Sequence, residues 1–249
     1  MKSSKIPIVK RFYRESYSKD ITGFFVKYKY TDIWVGVDNF DLEMLDFTYE
    51  TVKRLYNELE DYIRKNKEFK TSLVPIGYDG NAPEIAKKMI EASNTAGVGP
   101  MACVAGAFSQ LVGKNLIEKY KSKKVIVENG GDIYINSFDE TRIGIFSNFD
   151  SEFNRLSIVL SSGEFGVCSS SGKIGHSLNF GNADIVTVIA KNSLIADGFA
   201  TKLSNMVKIS GDITDVLEYT KSFLEDVIYG VVIIINGKMG VIGNVRFEI

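Results

Sequence analysis

Between Val125 and Ala190 the chain runs through VIVEN, DIYINSF, TRIGIF, RLSIVLS, FGVCSS and DIVTVIA, segments rich in β-branched residues and mostly divided by Gly, Asn, Asp or Ser. Such a block of strands constrains the fold more than any other feature. Helical patterns lie before and after it instead of alternating with it, so the sequence predicts an α+β domain, not a doubly wound parallel sheet. The architecture expected is a mainly antiparallel sheet packed with several helices. Phe24 to Tyr30 and Ile33 to Val37 add an N-terminal hairpin. At the other end, VVIIIN and VIGNVRFEI flank Asn236-Gly237, a pair suited to a tight hairpin turn.

Apolar residues Leu45, Val52, Leu55, Tyr56, Leu59 and Ile63 recur every three or four positions, which predicts a long amphipathic helix from Asp41 to about Lys67 with Asp41 as its cap. Pro83 opens a second helix to about Ser93, followed by a glycine-rich loop to Pro100. The helical pattern from Met101 to Tyr120 starts with MACVAGAF, whose small side chains permit close approach of a neighbouring element or a ligand. Further helices are expected at Ser193 to Val207 and Ile213 to Val227. With no fixed repeat, low-complexity tract or linker, residues 1–249 read as a single domain.

Thirty Lys and Arg against 31 Asp and Glu leave a net charge of −1, which gives no electrostatic footprint for nucleic acid or a membrane surface. The two cysteines, Cys103 and Cys168, lack zinc or CxxC spacing and read as reduced and buried or semi-buried. No signal-like segment or membrane-length apolar run is seen, so the expected location is cytoplasmic, with a homo-oligomer left open.

Three segments carry groups able to do chemistry. In NSLIADGFATKLSNMV (192–207), Asp197 and Thr201 lie four residues apart, one helical turn, so their oxygens share a face and suit Mg²⁺ or Ca²⁺ better than zinc. Ile195, Ala196, Phe199, Ala200 and Leu203 around them predict burial, and a buried carboxylate requires a partner or a metal. The ENGGD turn (128–132) places Gly130 and Gly131 where positive φ lets amides approach a ligand, although a plain hairpin turn has the same composition. Residues 161–181 hold Ser169, Ser170, Ser171, Gly172, Lys173 and the only histidine, His176. They suit either a phosphate cradle or a loop between strands. No second histidine or well-placed thiolate supplies a nucleophilic pair, so a Ser-His-Asp hydrolase is a poor fit.

Taken in order, GPMACVAGAF, VENGGDIYI, CSSSGKIGH and ADIVTVIAKNSLIADGFATKL resemble the ApbE superfamily, and most closely its small cytoplasmic branch. The resemblance covers roughly Thr31 to Val207 and implies Mg²⁺-dependent transfer of FMN from FAD to a protein threonine. It implies that Asp197 and Thr201 bind the metal. Gly130, Gly131 and Asp132 then form the GGD turn near the flavin nucleotide, and Ser170, Ser171, Gly172 and His176 the flavin-binding strand end. Ala105 and Gln110 stand where the family motif has lysine and aspartate, and no HxxDPxTG segment follows His176. The expectation is therefore a protein that binds a flavin- or nucleotide-like phosphorylated ligand with Mg²⁺, a degenerate FMN transferase. The alternative implied by the branch is a non-catalytic accessory factor in sulfide and homocysteine assimilation.

Overall fold

The computed structural model describes residues 21–145, 152–173 and 179–249. Strands β1 (Thr22–Tyr28) and β2 (Thr31–Val37) form the predicted hairpin and start an eight-stranded sheet. It continues with β3 (Val125–Asn129), β4 (Asp132–Ser137), β7 (Gly163–Ser170), β8 (Ile185–Ala190), β9 (Ile228–Ile235) and β10 (Lys238–Gly243). Every neighbour pair in it is antiparallel. Strands β5 (Thr141–Gly144) and β6 (Ser157–Leu160) leave the order and pair with β11 (Arg246–Glu248) as a second, three-stranded sheet. The α+β class expected from the strand block is the class observed.

That second sheet explains why β9 reads as an unbroken apolar run. Alternate side chains of a strand face opposite ways. Val231, Ile233 and Ile235 enter the core beneath the helices, whereas Val232 and Ile234 enter a separate core with Ile143, Ile158 and Leu160 of the small sheet. Both faces of the large sheet are thus covered, so its central strands lack the polar alternation of a half-exposed sheet. Asn236 and Gly237 both take positive φ in the β9–β10 turn, as their types predict.

Helices α1 (Glu43–Lys65), α2 (Lys67–Thr71), α3 (Glu84–Ala96), α4 (Val104–Tyr120), α5 (Ser193–Met206) and α6 (Ile213–Thr220) cover one face. In α1, Met44, Val52, Leu55 and Leu59 are buried, and the Asp41 carboxylate accepts the Glu43 N–H at 2.8 Å. Helix α1 starts at Glu43 with Leu42, not Asp41, in the N-cap position, and ends at Lys65; two later boundaries also differ from those expected. Helix α3 runs three residues past Ser93 to Ala96, because it ends only where Gly97 can take φ +70°. Helix α6 stops at Thr220, well short of Val227, where a 3₁₀ turn (Lys221–Phe223) leads into β9. Among the described residues no single helix is long and apolar enough to cross a membrane.

Helices α4 and α5 pack on the sheet and against each other, and Gly106 is the contact that sets their spacing. A Cβ there would overlap the Ser193 carbonyl and lie 2.9 Å from Asp197 Cβ. The small residues of MACVAGAF serve helix packing at this position, and the same packing assembles the site.

Candidate functional site

Asp197 lies one turn into α5 and is 9% exposed, amid the buried Ile195, Ala196, Phe199, Ala200 and Leu203 that predicted its burial. Its Oδ2 accepts the Gly106 N–H at 2.9 Å. Gly106 is in the first turn of α4, where amides have no carbonyl partner within the helix, so the carboxylate satisfies an open donor at the positive end of the helix dipole. Burial nevertheless pushes the Asp197 carboxyl up to about 7, against the opposing pull of hydrogen bonds from the Gly106 and Ala105 amides. Thr201 follows one turn later, half-buried.

Asp132 starts β4 directly after the ENGGD turn and pairs in register with Cys168 of β7. As a residue it keeps some contact with solvent, but its Oδ1 is buried and has no hydrogen-bond partner among the described residues. Burial, and then the charge of Asp197, hold its carboxyl well above the usual range; the Cys168 thiol and the Ser169 amide pull it down, while Glu128 pushes it up. Two acidic groups distant in sequence are therefore electrostatic neighbours. Among the described residues, no lysine or arginine is a leading cause of the shift of either carboxyl.

The turn itself matches its composition, with φ of +71° at Gly130 and +106° at Gly131. The Gly131 N–H donates to the buried Glu128 carboxylate at 2.8 Å, so this amide stabilises the turn. Open space surrounds the position of a Cβ at either glycine.

The serine and glycine segment is engaged locally. Asn179 Nδ2 donates to Ser170 Oγ at 2.8 Å, and the Lys173 N–H donates to Ser171 Oγ at 3.0 Å. The Gly172 N–H donates to the Ala183 carbonyl, and a Cβ on Gly172 would overlap the Gly181 carbonyl. Lys173 forms an ion pair with the buried Asp184 at 2.6 Å. His176 lies outside the described residues.

Sequence reasoning missed the surroundings of the two carboxyls. Cys103 and Cys168 are free and buried, and their thiols are raised first by burial and then by Asp132 and Asp197. Neither thiol is poised as a thiolate nucleophile. Cys168 Sγ also donates to the Ser193 carbonyl at 3.3 Å. The cross-strand register of Asp132 with Cys168 was the missing information, and no spacing within the sequence encodes it.

A cavity of about 410 Å³ opens beside these elements, lined in part by Tyr56, Met101, Val104, Ala105, Phe108 and Asn129. Asn129 Nδ2 donates to the Ala105 carbonyl at 3.3 Å and joins the ENGGD turn to the start of α4. The wall is largely apolar and aromatic, suited to a flat ring; of its lining, Ala105 offers its amide to Asp197 and Asn129 pairs in register with Asp132.

Comparison with known proteins agrees with this architecture. A UPF0280 protein of Methanobrevibacter smithii is 42% identical over 199 residues, covering 78% of this chain and 83% of the relative. A variant of the flavin transferase ApbE from Vibrio cholerae superposes with a TM-score of 0.59 at 13% identity, over 89% of this chain and 96% of that one. The flavinyl transferase ApbE of Pseudomonas stutzeri does so with a TM-score of 0.57 at 13% identity, over 89% and 93%. At these identities the two solved structures establish the shared fold. The family model described as AbpE bacteria matches residues 14–241, so this chain belongs to that family and is a member of the ApbE superfamily.

Proposed function

We propose that this protein binds a flavin- or nucleotide-like phosphorylated ligand together with Mg²⁺, using Asp132, Asp197 and Thr201, in a transferase-like site of the ApbE type. The observation that carries this reading is the buried, unpartnered Oδ1 of Asp132 beside the buried Asp197. Two carboxyls forced toward neutrality by burial gain most from a hard divalent cation. Among the described residues no three His, Cys, Asp or Glu side chains group to hold a metal alone. That suits Mg²⁺, which takes one or two carboxylates and completes its shell with water and ligand phosphate oxygens.

In this reading Asp132 and Asp197 hold the cation from opposite elements and the Thr201 hydroxyl adds a neutral oxygen donor. The cation would supply neutralisation of pyrophosphate charge as a bond to phosphorus breaks. Helix α4 fixes the Asp197 carboxylate through the Gly106 amide. Tyr56, Met101 and Phe108 take the flat ring and exclude water from it. The Vibrio cholerae and Pseudomonas stutzeri neighbours, a flavin transferase and a flavinyl transferase, support flavin transfer as the class of reaction. A cytoplasmic location is part of the proposal.

Calorimetry of the purified protein with FAD, FMN or ADP tests this reading. Micromolar binding of at least one of them in the presence of Mg²⁺, weakened at least tenfold by a chelator, is expected. No heat with any of the three would overturn it.

A further inference from the structure

We infer that Gln110 is a positioning residue for the cation site, acting through Ser193 and Gly106 on Asp197; this deepens the proposed Mg²⁺ reading and rests on it. Gln110 sits on α4 and is 7% exposed. Its Oε1 accepts both the Ser193 N–H at 3.0 Å and the Ser193 Oγ–H at 2.9 Å. Its Nε2 donates to Glu164 Oε1 at 3.1 Å, and Glu164 in turn holds Lys114 at 2.5 Å. Both ends of the amide are used, so the orientation of the side chain is fixed from two sides.

Ser193 is the first residue of α5, where an amide has no partner within the helix. Asn192 caps the Ile195 amide, and Gln110 takes the Ser193 amide that this cap leaves open. The Ser193 hydroxyl also lies 2.8 Å from the Gly106 carbonyl, so its one proton is shared between that carbonyl and Gln110 Oε1, and Ser109 Oγ donates to the same carbonyl at 3.0 Å. The Gly106 amide donates to Asp197. Residue 106 is thus gripped at its carbonyl by the start of α5 and at its amide by the carboxylate one turn further along. Gln110 holds the start of that grip. Removing it leaves the buried Ser193 N–H without an acceptor and frees the first turn of α5 to shift against α4. A residue on a neighbouring helix then sets where the Asp197 carboxylate points, without touching the ligand.

Mn²⁺ serves as the calorimetric probe at pH 8, with hydrogen exchange of the Gly106 amide as a second readout. Gln110→Ala should weaken Mn²⁺ about tenfold to a hundredfold, as for residues that orient metal ligands, and should speed Gly106 exchange at least tenfold. Gln110→Glu sets a carboxylate against Glu164 and should weaken Mn²⁺ similarly. The double variant Gln110→Glu with Glu164→Gln restores one donor facing one acceptor, keeps the acceptor for Ser193, and should recover affinity to within about threefold. A residue that merely fills volume would show no such recovery. Wild-type affinity and wild-type Gly106 exchange in Gln110→Ala would overturn the inference, as would failure of the double variant to recover. If the wild-type protein binds no Mn²⁺, the cation reading fails by itself, and Gly106 exchange in the same variants decides the role of Gln110.

Discussion

Replacing Asp197 with Asn should abolish stabilisation by divalent cations and, in cation-free buffer at pH 8, should make the protein more stable than the wild type. Both effects come from one buried charge. Asn keeps an acceptor for the Gly106 N–H but carries no charge to desolvate. The fold raises the Asp197 carboxyl from 3.8 to about 7, so it favours the neutral acid. The contribution of this group to stability is therefore complete below about pH 4 and is lost as pH rises through 7. A shift of about three units corresponds to an upper bound on the order of 4 kcal/mol at pH 8. In a chain of this size that is a rise in Tm of roughly 8–16 °C at most. Thermal unfolding in EDTA at pH 4 and pH 8 checks it: the two proteins should coincide at pH 4 and separate at pH 8. Adding 5–10 mM Mg²⁺, about the range in which weak carboxylate sites fill, should then raise only the wild type. Equal Mg²⁺ stabilisation of variant and wild type would exclude Asp197 as a cation ligand.

How much of this was legible in the sequence follows from the range of the interactions. Helix α1 and the two terminal hairpins were readable because they rest on local period and on turn chemistry, such as Asn236-Gly237. The burial of Asp197 was readable for the same reason, since its apolar neighbours lie on its own helix. The split of the strand block into two sheets was not, because β4 passes over β5 and β6 to pair with β7. Nothing in the alternation of β5 or β6 distinguishes a partner in one sheet from a partner in the other. The pairing of Asp132 with Asp197 and Cys168 depends on that long-range register and was hidden with it. Gln110 stood out in the sequence only as a departure from a family motif. Its contacts with Ser193 and Glu164 show that the position is used, with an amide where one donor and one acceptor are both required.

The second large effect expected is at Gly106. Gly106→Ala should destabilise the protein by about 3 kcal/mol and weaken cation binding with it, whereas Gly130→Ala should cost only about 1 kcal/mol. The surroundings of the two glycines differ. At Gly130 the cost is backbone strain, because φ is +71° and a Cβ would meet open space. At Gly106 the residue is helical, and the cost is steric. A Cβ would overlap the Ser193 carbonyl, so α5 must move away from α4 or α4 must turn. Either movement strains the Ser193 Oγ–Gly106 carbonyl bond and the Gly106 N–H bond to Asp197, which share the one peptide segment. Because packing in a core is not continuously deformable, the strain is not spread thinly over the helix pair. Urea unfolding in EDTA gives the stability of each variant, and Mn²⁺ calorimetry gives the site. A Gly106→Ala protein as stable as Gly130→Ala would mean that α4 and α5 slide freely, and that the spacing between Gly106 and Asp197 does not hold the carboxylate in place.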